Sequence, residues 1–355
     1  MTALAIILVF GSMVLMHEFG HYIVAKMIGV RVIEFSMGFG PKIVGHQTKE
    51  TFYSLRLVPL GGFVKLHGID PEMSEDGIAV IAAEDDPRSF LSKPVWQRMA
   101  VIAAGPLMNF VLAIIIFIGV FAFLGIPKAS TANIVGDVLA GRPASAIGIR
   151  PGEKILAVNG EATPDWQALT VMIHARPEQT IELTVEKSGS GERQTITVTT
   201  DIDADTGRGL IGITPEIVYV QIGVVQSAKY GIEQTVDFTV FIVVALVKMV
   251  TGKIPADVGG PVMIAQVIGE GVNQGLVNVL SLTGILSIQL GLINLFPIPA
   301  LDGSRLVFLL VEGVRGKPLK PERENMIHFI GFVLLMALMV FITYKDVLRL
   351  FVKEG

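Results

Sequence analysis

His17, Glu18 and His21 stand in the order His-Glu-x-x-His within an apolar stretch of the chain. On a helix, residues i and i+4 share a face. The two imidazoles would then lie one above the other, as a zinc ion requires, with a glutamate beside them. The chemistry this pattern points to is metal-assisted hydrolysis: a zinc-bound water activated by Glu18 attacks a peptide carbonyl, and Glu18 returns the proton to the leaving amine.

Two histidines do not complete such a site, because a catalytic zinc usually takes three protein ligands and keeps one position open. The best third ligand is Asp302. It ends the run Asn294-Leu295-Phe296-Pro297-Ile298-Pro299-Ala300-Leu301-Asp302-Gly303, in which Pro297 and Pro299 must break a helix. Broken backbone at membrane depth is tolerated only where protein or a wet cavity satisfies it. Taken singly, either histidine reads as a hydrogen-bonded bundle residue and Asp302 as a helix-end residue. Together, with Glu18 between the histidines, they read as a site for one Zn2+ per chain. Asn294 could donate to the substrate backbone or the oxyanion, or make a helix–helix hydrogen bond. His46, His67, His174 and His328 lie outside the apolar spans or at their edge. No ligand spacing joins His46 or His67 to the motif, and both read as surface or strand residues.

The elements that must position these residues are membrane helices. Of 355 residues, 51% are hydrophobic and only 17% charged, against about a quarter charged in a soluble domain. The mean hydropathy is +0.62. The net charge of -4 offers no nucleic-acid surface, and without cysteine there is no disulfide, thiol or iron–sulfur chemistry. Apolar spans of about the 20 residues that cross a bilayer run over Thr2–Gly29, Met99–Ile126, Val277–Phe296 and Ile327–Tyr344. The first lacks the basic n-region and clear cleavage site of a signal peptide. It also places ionisable residues at bilayer depth, where they are expensive and usually functional. Ile217–Thr251 is apolar but punctuated by Lys229, Glu233, Asp237 and Lys248; it could cross the membrane, but the recurring charges favour one or two amphipathic helices against the bilayer.

The predicted fold is thus a polytopic α-helical membrane protein of about four transmembrane helices. It has a membrane-associated β-hairpin region and one inserted α+β domain. The divisions are 1–127, with the zinc motif, a strand region and the second span; 128–216, the soluble module; and 217–355, the C-terminal membrane part. Strands are expected over Lys42–His46 and Thr51–Leu66. In the module they are expected around Ile155–Val158, with an Asn159-Gly160 turn, over Ile181–Val185 and over Thr195–Val198, the last two joined through Gly189–Gly191. The acidic stretch holding Glu72, Glu75, Asp76, Glu84, Asp85 and Asp86 reads as a mobile solvent loop. Basic residues concentrate after the first span (Lys26, Arg31, Lys42) and between the third and fourth (Arg305, Arg315, Lys317), which places those loops in the cytoplasm and the module outside. The basic tail Lys345, Arg349 and Lys353 argues mildly the other way.

These motifs resemble those of the site-2 protease family of intramembrane zinc metalloproteases, and the resemblance covers nearly the whole chain. His17 to His21 match the family's zinc motif, and Asn294 to Gly303 match its N-x-x-P-x-P-x-L-D-G motif. Gly61-Gly62-Phe63-Val64, Gly105-Pro106 with Asn109, and Gly259-Gly260-Pro261 look like further signatures. The resemblance implies zinc ligands His17, His21 and Asp302, with Glu18 as base. It implies that strands around Tyr53, Leu55, Gly61, Gly62 and Phe63 form a membrane-dipping hairpin whose edge pairs with an unwound substrate. The alternative is a hairpin that merely closes the cytoplasmic face. The module resembles a PDZ domain, with Gly209, Leu210, Ile211 and Gly212 as its carboxylate-binding loop, acting to capture a chain terminus or to filter substrates by size. Two tandem PDZ domains occur in the family; this chain has room for one. The activity implied is a metalloendopeptidase of the bacterial inner membrane, multi-pass and lipid-embedded. Its active site would lie toward the cytoplasm, and its substrates would be single-pass membrane proteins such as a trimmed anti-sigma factor or signal-peptide remnants. The competing readings are a metal transporter or sensor that does not hydrolyse, and a PDZ-bearing membrane scaffold.

Overall fold

The computed structural model describes residues 1–69, 72–73, 79–80, 86–204, 206–255, 259–317 and 321–353. The chain forms two compact units: Met1–Ala122 with Gly223–Gly355, and Phe123–Ile222. The elements of the first unit begin with helix α1 (Thr2–Met27), strands β1 (Val32–Gln47), β2 (Phe52–Leu66), β3 (Glu72–Met73) and β4 (Ala79–Val80), and helix α2 (Val95–Leu124). The second unit holds β5 (Ile126–Ala129), β6 (Val135–Val138), α3 (Pro143–Ala146), β7 (Lys154–Val158), β8 (Glu161–Ala162), α4 (Trp166–His174), β9 (Thr180–Glu186), β10 (Arg193–Thr199), β11 (Asp201–Ile202), β12 (Gly209–Leu210), β13 (Ile213–Pro215) and β14 (Ile217–Val220). The chain then returns to the first unit with α5 (Val224–Val250), α6 (Pro261–Gln274), α7 (Leu276–Leu295), α8 (Asp302–Arg315) and α9 (Pro321–Lys353).

Among the described residues, α1, α2, α5, α7 and residues Arg323–Arg349 of α9 are long and apolar enough to cross a bilayer. Side chains such as Phe329, Leu334 and Phe341 on α9 are exposed, which suits hydrocarbon rather than water. α1 stops where it does because Gly29 takes φ 75°. Its N–H reaches the carbonyl of Lys26 and that of Val30 reaches Ala25, closing a Schellman turn that satisfies two orphan carbonyls. The stretch Ile217–Thr251 forms strand β14 followed by the single 27-residue helix α5, which has the length to cross. Its charges Lys229, Glu233 and Asp237 fall in its first half, and a stripe of Ser227, Gly231 and Thr235 is buried. Lys248 lies in its last turn and residues 238–247 between are uncharged, so among the described residues five helices have the length and composition to span, where about four were expected.

β1 and β2 are long, bent strands that pair twice. Glu34 lies opposite both Lys65 and Phe52, and Met37 opposite both Gly62 and Leu55, while Gly45 and His46 pair with Ser54 and Tyr53. The result is four segments in the order 62–66, 32–37, 52–55, 44–47, in which the two outer pairs run antiparallel and the numbers of 34–37 and 52–55 rise together. The strand region is therefore more than the hairpin expected around Tyr53–Leu66. The fold-back depends on Gly38 and Gly40, both at positive φ. Buried Glu34 organises the sheet: Ser54 donates to it at 2.8 Å and Arg56 at 2.6 Å, with Lys65 3.4 Å away. Burial alone would raise its pKa, but Arg56, Ser54 and Lys65 hold the carboxyl below the ordinary glutamate value. Of the expected acidic loop, Glu75, Asp76, Glu84 and Asp85 lie outside the described residues. Asp86 faces His67 Nε2 at 3.0 Å.

Two further contacts fix the C-terminal helices of this unit. Buried Asp346 of α9 accepts hydrogen bonds from the N–H groups of Gly260 and Met263, capping the first turn of α6. Arg98 of α2 holds both carboxylate oxygens of Glu312 on α8, one of them at 3.1 Å, and both side chains are largely buried.

The second unit is built on a four-stranded sheet in the order β10-β9-β7-β8. Ile155, Leu169, Ile181, Leu183 and Ile211 are fully buried in its core. The Asn159-Gly160 turn takes positive φ at both residues, as a tight hairpin requires. Asp165 caps α4 by accepting from Ala168 N–H at 2.7 Å.

Candidate metal centre and active site

His17 and His21 project from one face of α1 and are each 9% exposed. They reach their positions because α1 and α2 cross in close contact. A Cβ on Gly20 would lie 2.2 Å from the Ala104 carbonyl, and one on Gly105 would lie 2.2 Å from Nε2 of His21. In that space His21 Nδ1–H donates to the carbonyl of Val101 at 2.9 Å. His17 Nδ1 lies 3.2 Å from the side-chain amide of Asn109, one more contact with α2.

Asp302 arrives from the other end of the chain. α7 stops at Leu295, and Pro297 and Pro299 prevent its continuation. The connecting loop closes on itself through Ile298 N–H to Phe296 O and Leu301 N–H to Ile298 O. Ala300, at φ 77°, donates its N–H to Nδ1 of His328 on α9 at 3.2 Å. α8 then starts with Asp302, a favourable place for a carboxylate at a helix N-terminus. Gly303 lets the loop fold back, since a Cβ there would fall 2.0 Å from the Phe296 carbonyl.

Asp302 Oδ2 lies 3.0 Å from His17 Nε2 and 3.3 Å from His21 Nε2, and those two nitrogens are 3.3 Å apart. Oδ2 is buried and receives no hydrogen bond of good geometry. With Nδ1 of His21 donating to Val101, the neutral ring presents a bare lone pair at Nε2. That lone pair, Nε2 of His17 and the unpartnered Asp302 Oδ2 converge on one point, where a cation would satisfy all three. Ligands about 2.0 Å from a tetrahedral zinc lie about 3.3 Å from each other, so the donor set and its spacing fit that ion. Among the described residues this is the one group of three metal-competent side chains.

Glu18 lies on the same helix beside this cluster. Strand β2 lies against it at Gly62. A Cβ on Gly62 would come within 3.1 Å of the Glu18 side chain, so the sheet approaches the glutamate through a glycine. Of the other residues singled out, Gly61, Gly62 and Phe63 belong to the outer segment of β2. Leu55 is exposed on its inner segment. Tyr53 hydroxyl meets Tyr22 hydroxyl at 2.6 Å. Both tyrosines line an apolar cleft of about 370 Å³ with Leu15, Met16, Phe19 and Phe35. Asn294 Nδ2 donates to Leu290 O of its own helix at 3.0 Å, not across helices. In the second unit Gly209 and Ile211 are buried, and Gly212 takes φ 81°. The carbonyls of Ile211 and Gly212 accept from Ala144 and Leu139. His46 is exposed and His67 is paired with Asp86, so neither joins the cluster.

Sequence reading assigned no role to Val101 or to the seat that Gly105 makes for His21. Gly105 and Asn109 were visible only as a signature shared with the family, without a role. That they face His21 and His17 depends on how α1 crosses α2.

Residues 5–338 match the profile of peptidase family M50. Regulator of sigma-W protease RasP of Bacillus subtilis is 33% identical, with 99% of each chain covered. Zinc metalloprotease RasP of Geobacillus kaustophilus is 33% identical over 98% of each. Among solved structures, the PDZ domain of an SdrC-like protein from Listeria monocytogenes aligns with 25% of this chain and 90% of its own, at 19% identity and a TM-score of 0.22.

Proposed function

This chain belongs to peptidase family M50, the site-2 protease family, and we propose from that premise that it cuts single-pass membrane proteins within or beside their transmembrane helix. It is a multi-pass membrane metalloendopeptidase whose cofactor is zinc. In our reading one zinc ion is held by His17, His21 and Asp302, and Glu18 is the catalytic base. The observation that carries this reading is the convergence of His17 Nε2, His21 Nε2 and Asp302 Oδ2 within 3.3 Å of one another beside Glu18.

Zinc held there supplies Lewis acidity toward a peptide carbonyl and acidifies water. Glu18 takes a proton from the attacking water and delivers it to the leaving amine. A helical substrate hides its scissile bond, so the substrate must be held extended. Segment 61–64 of β2 is the outer segment of the sheet and adjoins Glu18. It is well placed to pair with an unwound strand, with Tyr53, Leu55 and Phe63 as side-chain contacts. Asn294 donates one amide N–H to Leu290 O and keeps the other for the substrate backbone or the oxyanion. The unit Phe123–Ile222 is read as PDZ-like, with Gly209–Gly212 as its terminus-binding loop, and lies outside the cytoplasm; the active site lies toward it. The name of the Bacillus subtilis relative ties that protein to a sigma factor. A trimmed anti-sigma factor is accordingly our first candidate substrate, with signal-peptide remnants second.

The test is cleavage of a tagged single-pass substrate by purified protein in detergent, parent and Glu18→Gln side by side, with zinc measured in both. The reading requires that the variant keep its zinc and lose cleavage by about a hundredfold or more. Equal cleavage by a zinc-loaded Glu18→Gln protein would refute it.

A further inference from the structure

Asn109 is fully buried on α2, and its Oδ1 has no hydrogen-bond partner. A buried, unsatisfied amide oxygen costs about 1–3 kcal/mol, so its presence calls for a reason. Its amide group lies 3.2 Å from Nδ1 of His17, the ring nitrogen facing away from Asp302.

The chemistry of His17 fixes what that neighbour must do. For Nε2 to offer a lone pair to a metal, the neutral ring must carry its proton on Nδ1. An Nδ1–H needs an acceptor, and the Nδ2 amide nitrogen is a donor. The two ends of an amide are alike in size, and a half-turn of the terminal torsion exchanges them. With Oδ1 turned to His17, the pair becomes Nδ1–H donating to Oδ1.

Val101 does for His21 what this arrangement does for His17. Its carbonyl accepts Nδ1–H at 2.9 Å. Both imidazoles thus take their outer hydrogen bond from α2, at positions about two turns apart. α7 packs behind the residue: Ser287 Oγ donates to the Asn109 backbone carbonyl at 2.8 Å. Gly291 leaves the room the residue fills, since a Cβ there would lie 3.2 Å from that of Asn109.

We infer that Asn109 is a positioning residue for the metal, its side-chain oxygen accepting Nδ1–H of His17 and so holding that ring with Nε2 aimed at the ion. The inference rests on the reading of His17, His21 and Asp302 as the zinc ligands. It adds a residue that touches neither substrate nor metal.

The experiment is zinc affinity by chelator competition, on purified full-length protein in detergent. Parent, His17→Ala, Asn109→Leu and Asn109→Asp are compared, with the thermal midpoint of each metal-free protein as a check on folding. Leucine keeps the volume and removes the acceptor; aspartate keeps the acceptor. Loss of an outer-shell partner typically costs 10–100-fold in metal affinity, so Asn109→Leu should bind zinc about that much more weakly, while Asn109→Asp should bind as tightly as the parent or more so. Parent-like zinc affinity in Asn109→Leu would overturn the inference and leave the ligand set standing. Equal loss in both variants would assign Asn109 to packing and also overturn it. If Asn109→Leu does not fold, Asn109→Asp decides alone: parent-like or tighter binding supports the inference, and a tenfold loss overturns it. Zinc affinity in His17→Ala equal to the parent's would remove the ligand set itself, and the inference with it.

Discussion

A single methyl group on Gly105 would lie 2.2 Å from Nε2 of His21, so the seat of that imidazole exists because residue 105 has no side chain. The contact couples two transmembrane helices to the metal site at the atom that would bind the ion. Gly62 has a similar relation to Glu18, with the sheet in place of α2. Substitutions at the two glycines therefore probe the proposed metal ligand and the proposed base separately.

Gly105→Ala should displace the His21 ring and cost about tenfold or more in zinc affinity, with cleavage falling alongside. Helix content by circular dichroism should stay at the parent's level. Zinc per chain by mass spectrometry is the deciding number; full zinc occupancy with parent affinity would contradict the geometry.

Gly62→Ala should leave zinc in place and slow cleavage. A Cβ there presses on Glu18 and on the Ser36 carbonyl, 2.8 Å away. Misplacing a reacting group by about 1 Å can cost around a hundredfold. The expected outcome is parent-like zinc affinity with kcat at least about tenfold lower, measured on a single-pass substrate.

Arg98 and Glu312 join α2 to α8, the helix that begins with Asp302. Removing one partner strands a buried charge. Glu312→Ala should destabilise the fold by about 3 kcal/mol, seen as a lower thermal midpoint, and should weaken zinc binding because α8 loosens. The double variant Arg98→Met with Glu312→Leu should recover most of the midpoint, since an apolar pair of similar volume often matches a buried ion pair. A double variant less stable than Glu312→Ala would argue against this account.

Glu34 gives the sheet a pH dependence of known sign. Its folded pKa lies below its ordinary value, so its contribution is complete above about pH 4.3 and is lost as pH falls through the folded value. At pH 7 the parent β1–β2 region should resist protease better than Glu34→Gln does, and the difference should close below about pH 4. A constant difference down to pH 3 would show that the carboxylate's charge is not what holds the sheet.

The sequence by itself determined whatever depends on local geometry. Helix periodicity places His17 and His21 on one face of an apolar segment with Glu18 beside them, and two prolines end α7 just before Asp302. Alternation and the Asn159-Gly160 turn marked strands β7, β9 and β10 of the second unit, because hairpin twist permits few residues at such a turn. Only the tertiary structure decided the rest. Whether Asp302 meets the histidines depends on how α7 and α8 pack. Whether Val101 and Asn109 back the two rings depends on the close crossing at Gly20 and Gly105. The double pairing of β1 with β2 was hidden because a bent strand pairs with the same partner on both sides, and alternation along one strand does not reveal its neighbours. The extent of α5 was hidden for a similar reason. Lys229, Glu233 and Asp237 recur at helical spacing, as on a surface helix, and only packing shows that they fall in the first half of one long helix. Local steric rules act within a few residues and can be read along the chain. Contacts between distant segments are set by packing complementarity, which no single segment encodes.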